Sequence, residues 1–416
     1  MTVAAEAVLG TLAGNDPGRK AFRHGTDRTV APSETLARLQ PLLPALGITR
    51  VANVTGLDRI GVPVVMVCRP NARSLAVSQG KGLTLEAAKA SGIMEALELH
   101  HAERVDRPLR LGSCEELSAR HRTADVDRVP RPRGSRFQRD LPILWIEAVD
   151  LVAGAPAWVP YELVHANYTH PQPAGSGCFA ASTNGLASGN HVLEAVCHGI
   201  CEVVERDATS LWHQLGKAER DATRVDSQTV VDEACRLLLD RLAQAELRVA
   251  AWETTTDIGI PSYFCCIIDE RAGGSHAGAG AGCHPVREIA LLRALSEAIQ
   301  VRNTSITGSR DDLSPGDYRR AAREERQRRV RLLMQSDANG RDFRTRPSYE
   351  SDSFAADLRW LLQRLQGVGI DQVLTVDLRR AEFGIPVVRI VIPGLEAPHD
   401  DDGYVAGPRA RAVGAS

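Results

Sequence analysis

Three stretches of the chain repeat one pattern of apolar and polar positions. Val51-Ala52-Asn53-Val54 is followed, after a polar turn, by Gly61-Val62-Pro63-Val64-Val65-Met66-Val67-Cys68. Val249-Ala250-Ala251-Trp252 leads in the same way to Gly259-Ile260-Pro261-Ser262-Tyr263-Phe264-Cys265, and Val373-Leu374-Thr375-Val376 to Gly384-Ile385-Pro386-Val387-Val388-Arg389-Ile390-Val391. Each is a β-branched run, a turn, Gly-Ile/Val-Pro and a second β-rich run. Proline is tolerated at a strand entrance, where its missing N–H need not join the ladder. The pattern predicts three hairpins related by a weak internal repeat. Pro142 to Ala148 predicts one more strand.

Between these stretches the apolar spacing changes to the helical period. It predicts a short helix over 36–46, long helices over 84–104, 191–213 and 286–304, and amphipathic structural helices over 226–245 and 353–366. The segment 315–346 mixes Arg319, Arg320, Arg323, Glu324, Glu325, Arg326, Arg328 and Arg329, as a solvated helix does. Its carboxylates dilute the basic charge and its only aromatics are Tyr318 and Phe343, which argues against nucleic-acid binding. The Gly/Ala-rich run Gly273 to Gly282 predicts a loop or a place of close backbone approach. No Gly-Lys-Ser/Thr follows it, so it is not a P-loop, and no GxGxxG occurs. The fold class is mixed α/β (α+β). Residues 1–32, polar and broken by Gly and Pro, read as a flexible lead-in, 33–396 as the main domain and 397–416 as a C-terminal tail.

Composition narrows the class further. With 416 residues, 43% apolar and 25% charged, the chain is of ordinary globular make-up, and a net charge of −2 gives no overall pull toward nucleic acid or membrane. No apolar run approaches the ~18 residues of a membrane span, and the start has no basic flank before an apolar run, so no signal peptide is expected. The nine cysteines form no CxxC pair and read as reduced thiols of a cytoplasmic protein. Cys197 and Cys201 lack a second pair with which to hold zinc.

Three helices carry the chemistry. Ser91, Glu95 and Glu98 stand at i, i+4, i+7 and fall within about 60° of one another, with Ile93, Met94 and Leu97 on the core side. Glu194, His198, Glu202 and Glu205 fall within roughly 80°, followed by Arg206 and Asp207, and Asn190 is placed to cap that helix. Arg293, Glu297 and Gln300 repeat the spacing, with Arg302 close by. Several carboxylates on one face repel one another unless a cation is present. Mg²⁺ takes oxygen ligands, usually carboxylates together with substrate phosphates, so the stripes suit a nucleoside triphosphate with its metal. Lys20, Arg23 and Arg28 around Gly25-Thr26, and Lys81, are candidate phosphate contacts.

At these residues the sequence resembles the YcaO family over roughly 60–395. Ser91-Gly92-Ile93-Met94-Glu95-Ala96-Leu97-Glu98 resembles its first element. Thr183-Asn184-Gly185-Leu186-Ala187, Glu194-Ala195 and Glu202-Val203-Val204-Glu205-Arg206-Asp207 resemble the second, with Thr183 where the family prefers Ser. Arg293 to Arg302 resembles the third. The resemblance implies a fold of repeated β-hairpin and helix subdomains with a non-P-loop ATP site. By it Glu95, Glu98, Glu202 and Glu205 would hold Mg²⁺. Ser91, Asn190, Glu194, Arg206 and Gln300 would contact ATP, as would Lys20 and Arg28 from the N-terminal segment. It implies a reaction in which ATP phosphorylates the oxygen of a peptide backbone amide attacked by a nucleophile, the substrate being a ribosomally made precursor peptide.

Azoline-forming members typically end in a Pro-rich PxPxP tail. This chain ends instead with Pro393-Gly394-Leu395-Glu396 and Tyr404 to Arg411. That ending, with Gly25-Thr26-Asp27-Arg28 and Val54 to Arg59, resembles the TfuA-associated branch, in which sulfide is the nucleophile, a thioamide the product and a TfuA-like protein the partner. An azoline-forming cyclodehydratase with a separate peptide-binding partner and a non-catalytic peptide-binding accessory are the alternatives. The sequence leaves a homodimer open and names no catalytic base.

Overall fold

The computed structural model describes residues 10, 12–271, 276–310, 316, 319–336, 340–400 and 403–414. Among them are seven helices of eight residues or more: α1 Pro32–Leu39, α2 Leu85–Glu103, α3 Val192–Gln214, α4 Glu233–Gln244, α5 Arg287–Thr307, α6 Arg320–Met334 and α7 Phe354–Gln366. The strands longer than two residues are β1 Arg50–Asn53, β2 Val64–Cys68, β3 Val77–Lys81, β4 Leu109–Gly112, β5 Ile143–Asp150, β6 Ala155–Pro160, β7 Leu186–Ser188, β8 Leu247–Glu253, β9 Ser262–Asp269, β10 Gly278–Cys283, β11 Leu374–Asp377 and β12 Val387–Val391.

The internal repeat is structural. Each predicted hairpin acquires a third antiparallel strand, and that strand runs directly into one of the long helices. The first unit is β1-β2-β3 followed by α2, and another is β8-β9-β10 followed by α5. The remaining unit is assembled from distant parts of the chain: its hairpin β11-β12 comes from the C-terminal region, while its third strand, β7, precedes α3. It is extended on the other side by β5, β4 and β6. Register is the same in all three. The residue after the hairpin proline, Val64, Ser262 or Val387, pairs with Lys81, Cys283 or Ser188. The carbonyls of Pro63, Pro261 and Pro386 accept from the next N–H in each third strand, that of Gly82, His284 or Gly189. In every case the helix begins four residues after the paired position.

Helix and third strand lie unusually close. A Cβ on Gly80 would stand 2.0 Å from the carbonyl oxygen of Ala88, and one on Gly280 would stand 2.4 Å from the nitrogen of Ala298. No side chain fits at those distances, so glycine is required there for steric reasons. The Gly/Ala-rich run is therefore the close-approach segment, in its described part a strand (Gly278–Cys283) rather than a loop; residues 272–275 lie outside the described ones. The small residues beside the Glu95–Glu98 stripe likewise admit backbone: Gly92 and Ala88 face β3.

Ile93 and Leu97 of α2 are buried, as the pattern predicts, in one apolar cluster that also holds Trp145, Ile146 and Leu374. Val62, Val64 and Leu295 join the first unit to the third, and α3 packs on α7 through Ile200 and Leu361. α6 is the expected solvated helix, laced by Arg320–Glu324 and Arg329–Glu325 pairs at 2.7 and 2.9 Å; residues 311–315, 317–318 and 337–339 of its flanks lie outside the described ones. Neither end is loose where it is described. Residues 17–28 hydrogen-bond to 352–355 and to one another. The C-terminal segment is tied to α3 by Arg409, whose Nε lies 3.0 Å from Asp207. All nine cysteines are free thiols.

Candidate active site

The repeat brings the polar stripes into equivalent places. Glu95, Glu202 and Glu297 each stand ten residues after the first residue of their helix, and Glu98, Glu205 and Gln300 thirteen. Ser91, His198 and Arg293 share the position six residues in. The three helices thus present Ser-Glu-Glu, His-Glu-Glu and Arg-Glu-Gln from equivalent positions of the three repeated units. Glu297 was visible in the sequence as part of a stripe but carried no assigned role. The matching register of the hairpin prolines is the signal that identifies it as the counterpart of Glu95 and Glu202.

The carboxylates act on one another across helices. Glu98 feels the charges of Glu95 and Glu202, and Glu202 those of Glu297 and Glu95. Glu205 feels Glu297 and Glu202. Glu95, Glu98 and Glu202 keep some solvent access yet are enclosed by protein, as groups lining a recess are. Burial first, and mutual repulsion after it, lift Glu95, Glu202 and Glu205 to about 7 and Glu98 to about 8. Glu98 reaches that value although the N–H and Oγ of Ser188 donate to its Oε1 at 2.8 and 2.6 Å. Glu297 accepts from the Ala281 N–H at 3.0 Å.

Basic groups face them. Arg206 Nη1 lies 3.7 Å from Glu205, and Glu205, Glu297 and Glu202 outweigh burial to hold its guanidinium above the ordinary value. Lys81 acts on Glu95. Arg28, Arg293 and Lys81 surround His198, which burial and those cations keep neutral. Arg28 Nε lies 3.6 Å from Glu194, and the N–H and Oγ1 of Thr29 donate to the same carboxylate at 3.1 and 2.9 Å, pinning the N-terminal segment to the first turn of α3.

Other expected site residues are placed less simply. Asn190 does not cap α3: His191 does, its Nδ1 accepting from Leu193 N–H at 3.2 Å, and Asn190 bonds Thr35 of α1. Ser91 is exposed and Gln300 half-buried on the stripe face. Lys20 is not at the site's surface. Its fully buried ammonium lies 2.7 Å from both Asp27 and Asp357, an arrangement that occupies it as an internal ion pair. Among the described residues, no three His, Cys, Asp or Glu side chains are close enough to hold a metal by themselves.

The raised carboxylates have a consequence for stability. Their ordinary value is 4.5, so near neutrality the folded protein holds protons that the unfolded chain has released. Stability without metal must fall as pH rises toward 7–8. Buried histidines such as His100, lowered to about 3 from 6.5 by burial, act in the opposite sense, but their contribution is complete above pH 6.5. Between pH 6.5 and 8.5 the melting temperature in a chelator is expected to decline, and added Mg²⁺ to raise it more at the upper end. A flat profile with an equal Mg²⁺ effect at both ends would contradict the assignment.

Residues 79–396 match the family described as YcaO cyclodehydratase, ATP- and Mg²⁺-binding. An uncharacterised protein in the tfuA 3′ region of Rhizobium leguminosarum bv. trifolii is 37% identical over 97% of this chain and 96% of its own length. The structure of YcaO from Methanopyrus kandleri bound with AMPPCP and Mg²⁺ superposes with a TM-score of 0.72 at 23% identity, covering 94% of this chain and 98% of that one. A heterocyclase in complex with substrate and cofactor gives 0.78 at 20% identity over 95% of this chain, which spans 55% of that longer protein. No helix among the described residues is long and apolar enough to cross a membrane.

Proposed function

The chain belongs to the YcaO family, and on that footing we propose that it activates a backbone amide of a peptide with ATP and replaces the amide oxygen by sulfur, in company with a TfuA-like protein. ATP and Mg²⁺ are the cofactors of the family. The recess fits them: carboxylates held near neutral pKa by burial and by one another are a hard-oxygen donor set in want of a cation, and guanidinium groups face them. Glu95, Glu98, Glu202 and Glu205 are the groups that would hold Mg²⁺, with Glu297 as their repeat counterpart. Because carboxylates among the described residues do not close a ligand set by themselves, phosphate oxygens would complete it, as is usual for this ion. Bound Mg²⁺ would neutralise charge on the transferring phosphoryl group. Arg28, Arg206, Arg293 and Lys81 orient and neutralise the phosphates, while Ser91, Asn190, Glu194 and Gln300 are the proposed remaining nucleotide contacts.

The sulfur of hydrosulfide bonds the amide carbon, and the carbonyl π pair moves to oxygen. That oxygen bonds the terminal phosphorus of ATP and ADP departs. The carbon–oxygen bond then breaks with phosphate as leaving group, the sulfur proton passes to phosphate, and the thioamide remains. A poor leaving group has been converted into a good one. The observation that carries the sulfur reading is the relative from a tfuA 3′ region, aligned over almost the whole of both chains. A passive peptide-binding scaffold would have no use for so many enclosed like charges.

The test is to weigh the product formed from a candidate precursor peptide with the enzyme, MgATP, sulfide and the TfuA-like protein. Exchange of one oxygen for one sulfur per turnover, dependent on sulfide, is expected. Loss of one water without any sulfide requirement would identify a cyclodehydratase instead.

A further inference from the structure

Beside the carboxylate recess lies a buried cation that no group among the described residues neutralises by direct contact. Arg389, on β12, is 3% exposed. Its Nη2 donates to the carbonyl of Ser182 at 2.7 Å, but its Nε and Nη1 have no partner among the described residues. Burial, its largest perturbation, depresses its pKa to about 10, and the charges that counter this are Tyr168 and Glu202. Arg389 borders a cavity of about 70 Å³ that it shares with Asn184, Val203, Leu163 and Ile392. The Oδ1 of Asn184 is likewise buried without a partner. Glu396 also borders the cavity, but its carboxylate accepts from Tyr404 and from the N–H groups of Gly407 and Ala410.

An unpaired guanidinium in a mostly apolar enclosure is costly unless an anion joins it. The space admits an ion of a few atoms with some water. The amide of Asn184, turned about its last bond, would add an N–H donor. Arg389 feels the charge of Glu202, and Val203, next to Glu202 in α3, lines the cavity, which sets it near the carboxylates of the proposed ATP site. We propose that the cavity beside Arg389 and Asn184 binds the hydrosulfide anion and delivers it to the amide carbon, an assignment that rests on the sulfur-transfer reading above. Arg389 would favour the anion over neutral hydrogen sulfide, and the deprotonated form is the nucleophile. Apolar walls suit a soft anion that gives up its hydration readily.

Bromide is a probe of similar size and charge. In crystals soaked with bromide, an anomalous peak is expected within hydrogen-bond distance of Arg389, and none in Arg389→Met. Water alone at that position in the wild type at saturating bromide overturns the assignment. In the full reaction with the TfuA-like protein, Arg389→Met and Asn184→Asp should each raise KM for sulfide at least tenfold with KM for ATP unchanged. Arg389→Met, which removes a buried unpaired charge, should melt no lower than wild type, and Asn184→Asp tests the site without touching the arginine. Sulfur transfer with an unchanged sulfide KM in both variants defeats this assignment alone. No sulfur transfer by the wild type at any sulfide concentration defeats the catalytic reading, and the assignment with it.

Discussion

Glu202→Gln is expected to lower ATP turnover by a factor on the order of 10²–10³, the range for removing one preorganised electrostatic group from a reacting centre, while making the metal-free protein more stable. Both effects have one cause. Glu202 feels Glu297 and Glu95, and its neighbours Arg206 and Arg389 do not offset burial, so it sits at about 7. Glutamine keeps the shape and removes the charge, relieving repulsion on Glu98 and Glu205. It also removes an oxygen that would hold Mg²⁺. A site in which function requires clustered like charges is destabilising to the fold that carries it. ADP release and the melting temperature in a chelator measure the two halves. Unchanged ATP consumption in a well-folded variant would sink the assignment of the recess. Glu297→Gln, its repeat counterpart, should lose turnover in the same range.

That pairing of Glu202 with Glu297 marks the boundary of what the sequence makes legible. Each hairpin and each polar stripe is a local pattern of period two or 3.6, and these are read from neighbouring residues alone. The strand pairing of Leu186–Ser188 with Val387–Arg389 joins segments some two hundred positions apart, and no local period reports it. Without that pairing the unit that carries α3 has no hairpin, and the equivalence of the three helices stays hidden. Asn190 failed as a cap because His191, one residue on, supplies an acceptor of its own and Thr35 claims the asparagine. The run Gly278–Cys283 gave a composition without a partner; only the backbone of α5 explains why its glycines are needed. Lys20 is the clearest case. As an isolated lysine near Gly25-Thr26 it suggests a phosphate ligand, and nothing nearby in sequence announces Asp357.

Lys20→Met is accordingly expected to destabilise the protein by about 3–5 kcal/mol, the range for breaking a buried ion pair by removing one partner. Lys20 Nζ lies 2.7 Å from Asp27 and from Asp357, all three side chains being almost wholly buried. Burial would lower the lysine pKa, and Asp357 and Asp27 raise it above its ordinary value, so the pair is charged. Methionine fills the stem and leaves two carboxylates enclosed without a cation. The damage should reach the nucleotide indirectly. Asp27 is followed by Arg28 and Thr29, which hold Glu194, and a loosened segment would carry them off the site, so affinity for MgATP falls too. Neutralising the partners separates positioning from contact. In Lys20→Met combined with Asp27→Asn and Asp357→Asn, no buried charge is stranded, and denaturant unfolding should recover much of the lost stability. If Lys20 only anchors the segment, binding of a non-hydrolysable ATP analogue recovers alongside. Restored stability with nucleotide affinity still lost would show instead that Lys20 leaves its ion pair to reach a phosphate, and would return it to the site that its sequence context suggests.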